Sequence, residues 1–396
     1  MAVSIRRIKI WMGEKCCYFI VLSVIYFVFW GYMAGLFARL FREPRCIIPD
    51  EDMEKIVQQE IAEHYPEVQN YLLKSTNKSK EASYCAWPPL EFEGRRPVNK
   101  AVLSWDKLEQ KFVFMADGHY KPKLCIAYQK VAIIVVVYKT PESEKLFQIF
   151  LNNILPKLRR QQLEFGIYAV REQMPDIPNR GLLFNIGFQK AMTNMKYDCV
   201  IFHDVDVIPE DDRNYYACEY YPRHMAKRID RNKYTLPHKD WAGGIISMNP
   251  EQYTQINGWS NMYIGNHTDN EDIYRRIVTH YDLVRTEDKY SYCGSTSDKT
   301  ELPNKEGCWS FEKTGRTWQI DGLNNTAYEK AEILNKKLFT LVDIGLFSQK
   351  IRNSYLKRMR NITNFDSLPN ATLTLNNMVC EQLLGRKLDF NTILKT

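Results

Sequence analysis

Apolar residues run without a break in VAIIVVVY (131–138), the pattern required of a strand covered on both faces. Next, Lys145–Leu163 spaces Leu146, Ile149, Phe150, Ile154 and Leu158 along one helical face. FGIYAVR (165–171) predicts a second strand, Leu182–Met192 a second helix and CVIFHDV (199–205) a third strand. Strand, helix, strand, helix, strand is the order of a parallel α/β sheet. In such sheets ligands bind beyond the carboxyl ends of the strands, and the third strand ends there in Asp204 and Asp206. Side chains two positions apart on a strand share a face, so two like charges sit together and want a cation. Hard carboxylate oxygens suit Mn²⁺ or Mg²⁺, which would neutralise a diphosphate leaving group. Taken by itself, the motif fits a solvated turn after a strand equally well.

The N-terminal pattern is of another kind. Cys16–Ala38 carries no charge and is long enough to cross a bilayer as a helix. Its apolar core is longer than that of a cleaved leader, which predicts an uncleaved anchor. Basic residues flank it nearly evenly, so the downstream chain sets the expected orientation. Asn77, Asn266, Asn324, Asn361 and Asn370 each begin an N-glycosylation sequon, and eight of the ten cysteines follow Ala38. Both features point to a lumenal body behind a cytosolic tail. The expected division is tail 1–15, transmembrane anchor 16–38, stem or lead-in 39–115, catalytic domain 116–350 and C-terminal extension 351–396. The net charge of +7 is spread along the chain without a Lys/Arg block, so nucleic acid is not an expected partner.

Several blocks stand in order along the chain: RRQQLEFGIYAV (159–170), NRGLLFNIGFQKA (179–191), HDVDVIPEDDRNYYAC (203–218), PRH (222–224), AGGIISMNPEQYTQINGWSNMY (242–263), DGLNN (321–325) and VDIG (342–345). Through them the chain resembles the β-1,4-galactosyltransferase family from about Cys125 to Gly345. These are type II Golgi enzymes that move galactose from UDP-galactose to a terminal N-acetylglucosamine or similar sugar. The resemblance implies a GT-A-like nucleotide-sugar transferase fold of α/β class, with a mixed, mostly parallel sheet flanked by helices, together with a UDP-sugar donor, a glycan acceptor and Mn²⁺ as cofactor. It further implies Asp206 as metal ligand with Asp204 beside it near the donor, and Arg180 at the UDP phosphates. Gly243 and Gly244 would line the sugar pocket, where a missing Cβ permits close approach. Trp241 would limit space beside the donor sugar. Cys199–Cys218 is an implied disulfide and Cys85–Cys125 a second. Cys293 and Cys308 have no firm family counterpart, and a local bridge between them is one expectation. A homodimer or a complex with another glycosyltransferase is the expected assembly.

Three segments depart from the family pattern. Its donor-binding Pro-Phe-Arg-Asn-Arg becomes YKTPES (138–143), where Lys139 offers the one positive charge. Its acceptor loop, Trp-Gly-Trp-Gly-Gly-Glu-Asp-Asp-Asp, becomes IGNHTDNED (264–272). There Asn266 replaces the tryptophan that packs on sugars, and Asn270 stands where the catalytic base is expected. An amide cannot accept a proton at neutral pH, so Asp269, Glu271 and Asp272 are the candidate catalytic acids. Its metal-completing Met-x-x-His becomes SYCGSTSDK (291–299), without His or Met. His203, predicted to face the opposite side of its strand, and His267 are the nearby alternatives. Two readings follow: an inverting glycosyltransferase with a remodelled site, or a silent relative that binds sugar or a partner.

Overall fold

A computed structural model describes residues 83–89, 91–173, 179–263, 268–297, 314–315 and 317–345. The expected anchor, four of the five sequons (Asn77, Asn266, Asn361, Asn370) and the 351–396 extension lie outside them, and no described helix is long and apolar enough to cross a membrane.

Chain order begins with α1 (Trp105–Lys111), β1 (His119–Tyr120), β2 (Lys130–Val137), α2 (Pro141–Arg160), β3 (Glu164–Glu172), α3 (Arg180–Asn194) and β4 (Cys199–Asp204). It continues with β5 (Val207–Pro209), β6 (Arg223–His224), β7 (Arg228–Ile229), β8 (Ile245–Met248), α4 (Pro250–Gln255), α5 (Asp269–His280), β9 (Val284–Arg285), β10 (Tyr292–Ser295), β11 (Lys330–Asn335) and β12 (Thr340–Gly345). The main sheet runs β11-β12-β3-β2-β4-β8-β6-β9, with β1 on β3. Its centre, β12-β3-β2-β4, is parallel, and antiparallel strands are added on both sides. A mixed α/β architecture was expected.

Strand β2 shows why the order forms. Val131, Ile133, Val135 and Val137 pack with Phe150, Ile154 and Leu158 of α2. Their neighbours Ala132, Ile134 and Val136 pack with Leu182, Leu183 and Ile186 of α3. Alternate side chains enter opposite faces, so a strand between two helix layers must be apolar throughout. Full burial of each aliphatic side chain contributes about 1.5–3 kcal/mol. Helix α2 starts earlier than its apolar spacing predicts. Thr140 caps it by accepting from Ser143 N at 3.1 Å, and Pro141 sits in the first turn, where no N–H is missed.

The described part of the expected stem is folded onto this body. Leu108, Phe112 and Met115, at helical spacing, join the α2 core, and Cys85 is bridged to Cys125. The other implied bridge, Cys199–Cys218, is also present, with Cα atoms 5.3 Å apart. The suggested Cys293–Cys308 pairing is not found: Cys293 is a buried free thiol, and Cys308 lies outside the described residues.

Beside the main sheet is a second one of three strands, β5-β10-β7. Strand β5 leaves β4 after a turn of two residues, Val205 and Asp206, so the Asp pair sits where the chain passes from one sheet to the other.

Candidate active site

Helix α3 opens at the site. Asn179 accepts from Leu182 N at 2.9 Å and caps it. A Cβ on Gly181 would lie 2.4 Å from Ser260 O, so only glycine lets the helix start press against 259–261. Arg180 is thereby held in place and gathers three acceptors. It donates to Asp204 Oδ1 at 2.7 Å, Asp269 Oδ2 at 2.9 Å and Asn270 Oδ1 at 2.5 Å. Its guanidinium also lies 5.5 Å from the ring centroid of Trp259. One side chain thus ties α3, the end of β4 and the start of α5.

Asp204 is held from behind by Gly244. Gly244 N donates to its Oδ2 at 3.1 Å, and its own N–H donates to Gly244 O at 2.8 Å. Gly244 has φ +87°, a conformation suited to glycine. A Cβ on Gly243 would be 2.3 Å from Trp241 Cζ2 and 2.8 Å from Asn270 Cγ. Trp241, Gly243 and Asn270 therefore meet at one point. Trp241 is also core, 8% exposed and edge-on to His224 at 5.4 Å.

Asp206 has a different partner. Its Oδ2 accepts from Arg231 Nη1 at 2.5 Å and from Ser297 Oγ at 2.6 Å. Asp204, Asp206, Arg180 and Ser297 line one cavity of about 110 Å³ beyond β2 and β4. The carboxylate pair shares a cleft, and each member has its own arginine.

The first turn of α5 fans its polar residues apart, about 100° per residue. Asp269 and Asn270 turn to Arg180. Glu271 Oε1 accepts from His238 Nε2 at 2.8 Å. Asp272 turns inward to Arg275, Arg276 and Thr314. Among the described residues, Asp269 Oδ1 and Glu271 Oε2 are buried without a hydrogen-bond partner. Burial pushes the Glu271 carboxyl above its ordinary value, against the opposing pull of His238. For Asp272 burial acts the same way but is outweighed, and the two arginines hold it below the carboxylate range.

Two of the sequence expectations are not brought into the cleft. Asp272 is committed to its arginines and is a structural acid rather than a base. Lys139 lines a separate cavity on the β3 and β12 side, its Nζ 3.5 Å from Gln173 O. The His203 ring is buried, bonded to Tyr216 OH at 2.7 Å, and its proton affinity is lowered by that burial to a pKa of about 4. It is a core histidine, as its strand position predicts. Asn266 and His267 lie outside the described residues. Asn324, of the remaining sequon, is exposed in a short turn at Leu323–Asn325.

Sequence reasoning missed Arg231, His238, Ser297 and Trp259. Arg231 and His238 fall between the quoted blocks, in a stretch without periodicity, and no pattern marked them.

Among the described residues, those at the expected metal position are engaged otherwise than as Mn²⁺ ligands. The implied ligand oxygen of Asp206 already has two donors, one of them a cation. In the segment expected to supply His, Ser295 instead bonds Asp230 Oδ1 through both its backbone N–H, at 2.7 Å, and its Oγ. Among the described residues no three His, Cys, Asp or Glu side chains converge as a metal site.

Two family models match in succession: the N-terminal region of glycosyl transferase group 7 over residues 85–219 and the N-terminal domain of galactosyltransferase over 223–292. Human β-1,4-galactosyltransferase 6 is 33% identical over 307 residues, 72% of this chain and 78% of its own. Mouse β-1,4-galactosyltransferase 1 is 36% identical over 234 residues, 58% of each chain. A solved Drosophila β-1,4-galactosyltransferase 7 mutant in complex with manganese, UDP-Gal and xylobiose is 24% identical, covering 55% of this chain and 94% of that one, with a TM-score of 0.45. The chain belongs to the β-1,4-galactosyltransferase family.

Proposed function

We propose that this protein is an inverting glycosyltransferase. It moves a hexose, galactose by family, from a UDP-sugar to the terminal sugar of a glycoprotein or glycolipid glycan. Its GT-A-like unit would work in the Golgi lumen behind the 16–38 anchor, an assignment supported by the sequons and the cysteine distribution.

One observation carries the proposal. In the first turn of α5, which Arg180 holds through Asp269, two buried carboxylate oxygens, Asp269 Oδ1 and Glu271 Oε2, have no described protein partner. Buried acceptors without partners call for an explanation, and the hydroxyl groups of a sugar are suitable donors. A relative that only binds a partner protein has no such need, and family membership favours the catalytic reading over silent sugar binding.

The chemistry follows from the placement of the residues. Asn270 cannot take the proton. Asp269 already accepts from Arg180 Nε through its Oδ2. Glu271, raised by burial, is the better general base near neutral pH. It removes the acceptor hydroxyl proton as that oxygen bonds to C1 of the donor sugar. The bond from C1 to the diphosphate oxygen breaks on the opposite face, which inverts C1. Arg180 steadies the leaving diphosphate. The full-length protein in detergent, incubated with UDP-hexoses and a glycan acceptor panel, should transfer one hexose with inversion. Absence of both transfer and UDP binding would refute the assignment.

A further inference from the structure

The geometry points to Arg231 as a built-in cation for the nucleoside diphosphate, standing where the family pattern calls for a divalent metal; this rests on the nucleotide-sugar reading above. The small sheet brings the participants together. Asp206 directly precedes β5, Ser297 lies just past β10, and Arg231 lies just past β7. Strand β10 is antiparallel to β5, pairing Ser295 with Val207, and parallel to β7, pairing Cys293 with Ile229. All three residues therefore emerge at one end of the sheet. Thr296 N donates to Asp206 O at 2.9 Å and closes that end.

The turn that carries Arg231 is fastened rather than loose. Asp230 Oδ1 accepts from Arg231 N and Ser295 N, both at 2.7 Å, and from Ser295 Oγ. Lys233 and Tyr234 then adopt left-handed φ of 55° and 57°, and Tyr234 N returns to Ile229 O at 2.9 Å. The segment expected to complete a metal site instead anchors the turn bearing the arginine.

Electrostatics supports the substitution. A bare pair of aspartates would repel a diphosphate, which is why a metal is needed in the family pattern. Here each carboxylate is matched by a guanidinium, Arg180 on Asp204 and Arg231 on Asp206. The four side chains are 13–18% exposed, so the charges are weakly screened yet reachable. A guanidinium is a planar fork of donors that fits phosphate as well as carboxylate. An arriving diphosphate exchanges with Asp206 as acceptor, and Asp206 keeps Ser297 Oγ as a donor.

Isothermal titration of the full-length protein with UDP and with uridine, in EDTA and again in Mn²⁺, tests the assignment. UDP affinity should agree within about threefold between the two conditions. Arg231→Met should weaken UDP by about ten- to hundredfold, the size of a lost charge-assisted contact, and leave uridine unchanged. Arg231→Lys, which keeps the charge, should recover most of that loss. A purely structural arginine would not separate UDP from uridine. UDP binding that requires Mn²⁺, or that survives Arg231→Met undiminished, overturns this inference while the transferase reading stands. Failure of the wild type to bind UDP in either condition removes both. Should Arg231→Met not fold, the EDTA comparison on wild type, together with UDP binding by the Lys variant, decides the question.

Discussion

Asp204 and Asp206 are two residues apart, yet they belong to different structures. Asp204 ends a strand of the main sheet. Its arginine also holds Asp269 and Asn270, so the pair fixes where α5 begins. Asp206 sits in the turn leading to the small sheet, and its arginine comes from a short turn with its own fastening. Equal exposure conceals unequal connections: Arg180 ties three elements together, whereas Arg231 joins one short turn to Asp206. Neighbouring charges in one cleft can thus be held by separate parts of the fold.

Removing Arg180 should break the contrast most severely. Arg180→Met leaves Asp204 and Asp269 without their shared cation, and Asp269 is only 3% exposed. Stranding a buried carboxylate costs about 3–5 kcal/mol, and partial exposure of Asp204 places this change near 3. Thermal unfolding should show a large fall in Tm, and transfer should vanish as α5 loses its register. Arg231→Met should cost only about 1 kcal/mol, because Asp206 keeps a hydroxyl donor. Equal losses of Tm in the two variants would show that both pairs are scaffold.

Glu271→Gln should come next, separating chemistry from structure. Loss of a general base lowers kcat by about 10²–10⁴-fold, with UDP affinity unaltered. Because burial raises the Glu271 pKa, the folded protein holds that proton more tightly than the unfolded chain. The base form is then lost as pH falls through this raised value, so the acid limb of kcat lies higher than for an ordinary glutamate. The same sign means that ionised Glu271 destabilises the fold as pH rises through that window. The neutral Gln variant should therefore keep or raise Tm at pH 7 while losing turnover and the acid limb. An unshifted limb that persists in the variant would move the base elsewhere, with Asp269 the first alternative.

What the sequence could reveal follows the same divide. Strands β2, β3 and β4 and helices α2 and α3 were legible because each buries enough residues for a period of 2 or 3.6, or a continuous apolar run, to show. Asp204, Arg180, Gly243 and Gly244 lie in blocks that are parts of the main scaffold, which brings them together with Trp241. The small sheet was not legible. Its strands have two to four residues, too few to display any period. Arg231 reads in KRIDRNKY as one more surface cation, and only pairing across β5, β10 and β7 gives it a carboxylate. Asp272 was misjudged for a related reason: four consecutive polar residues look alike in sequence, but helical rotation turns this one to Arg275 and Arg276.

Lys139 carries the smallest expected effect and sharpens the comparison from the donor side. It follows β2 and is the one positive charge left in the altered donor segment. It lines a cavity of about 270 Å³ together with Trp105, Arg171 and Phe339, and its ammonium lies against the carbonyl of Gln173. Tyr138 and Thr140 border both this cavity and the Asp204–Asp206 cleft, so the end of β2 separates the two spaces. An exposed charge directed away from the cleft acts on it only through solvent, where salt screens it within about 8–10 Å. Lys139→Ala should change UDP affinity by less than about twofold at physiological salt. A tenfold loss would mean that the diphosphate crosses the end of β2 to reach Lys139, and neither the Asp204 nor the Asp206 pair would then be its principal counter-charge.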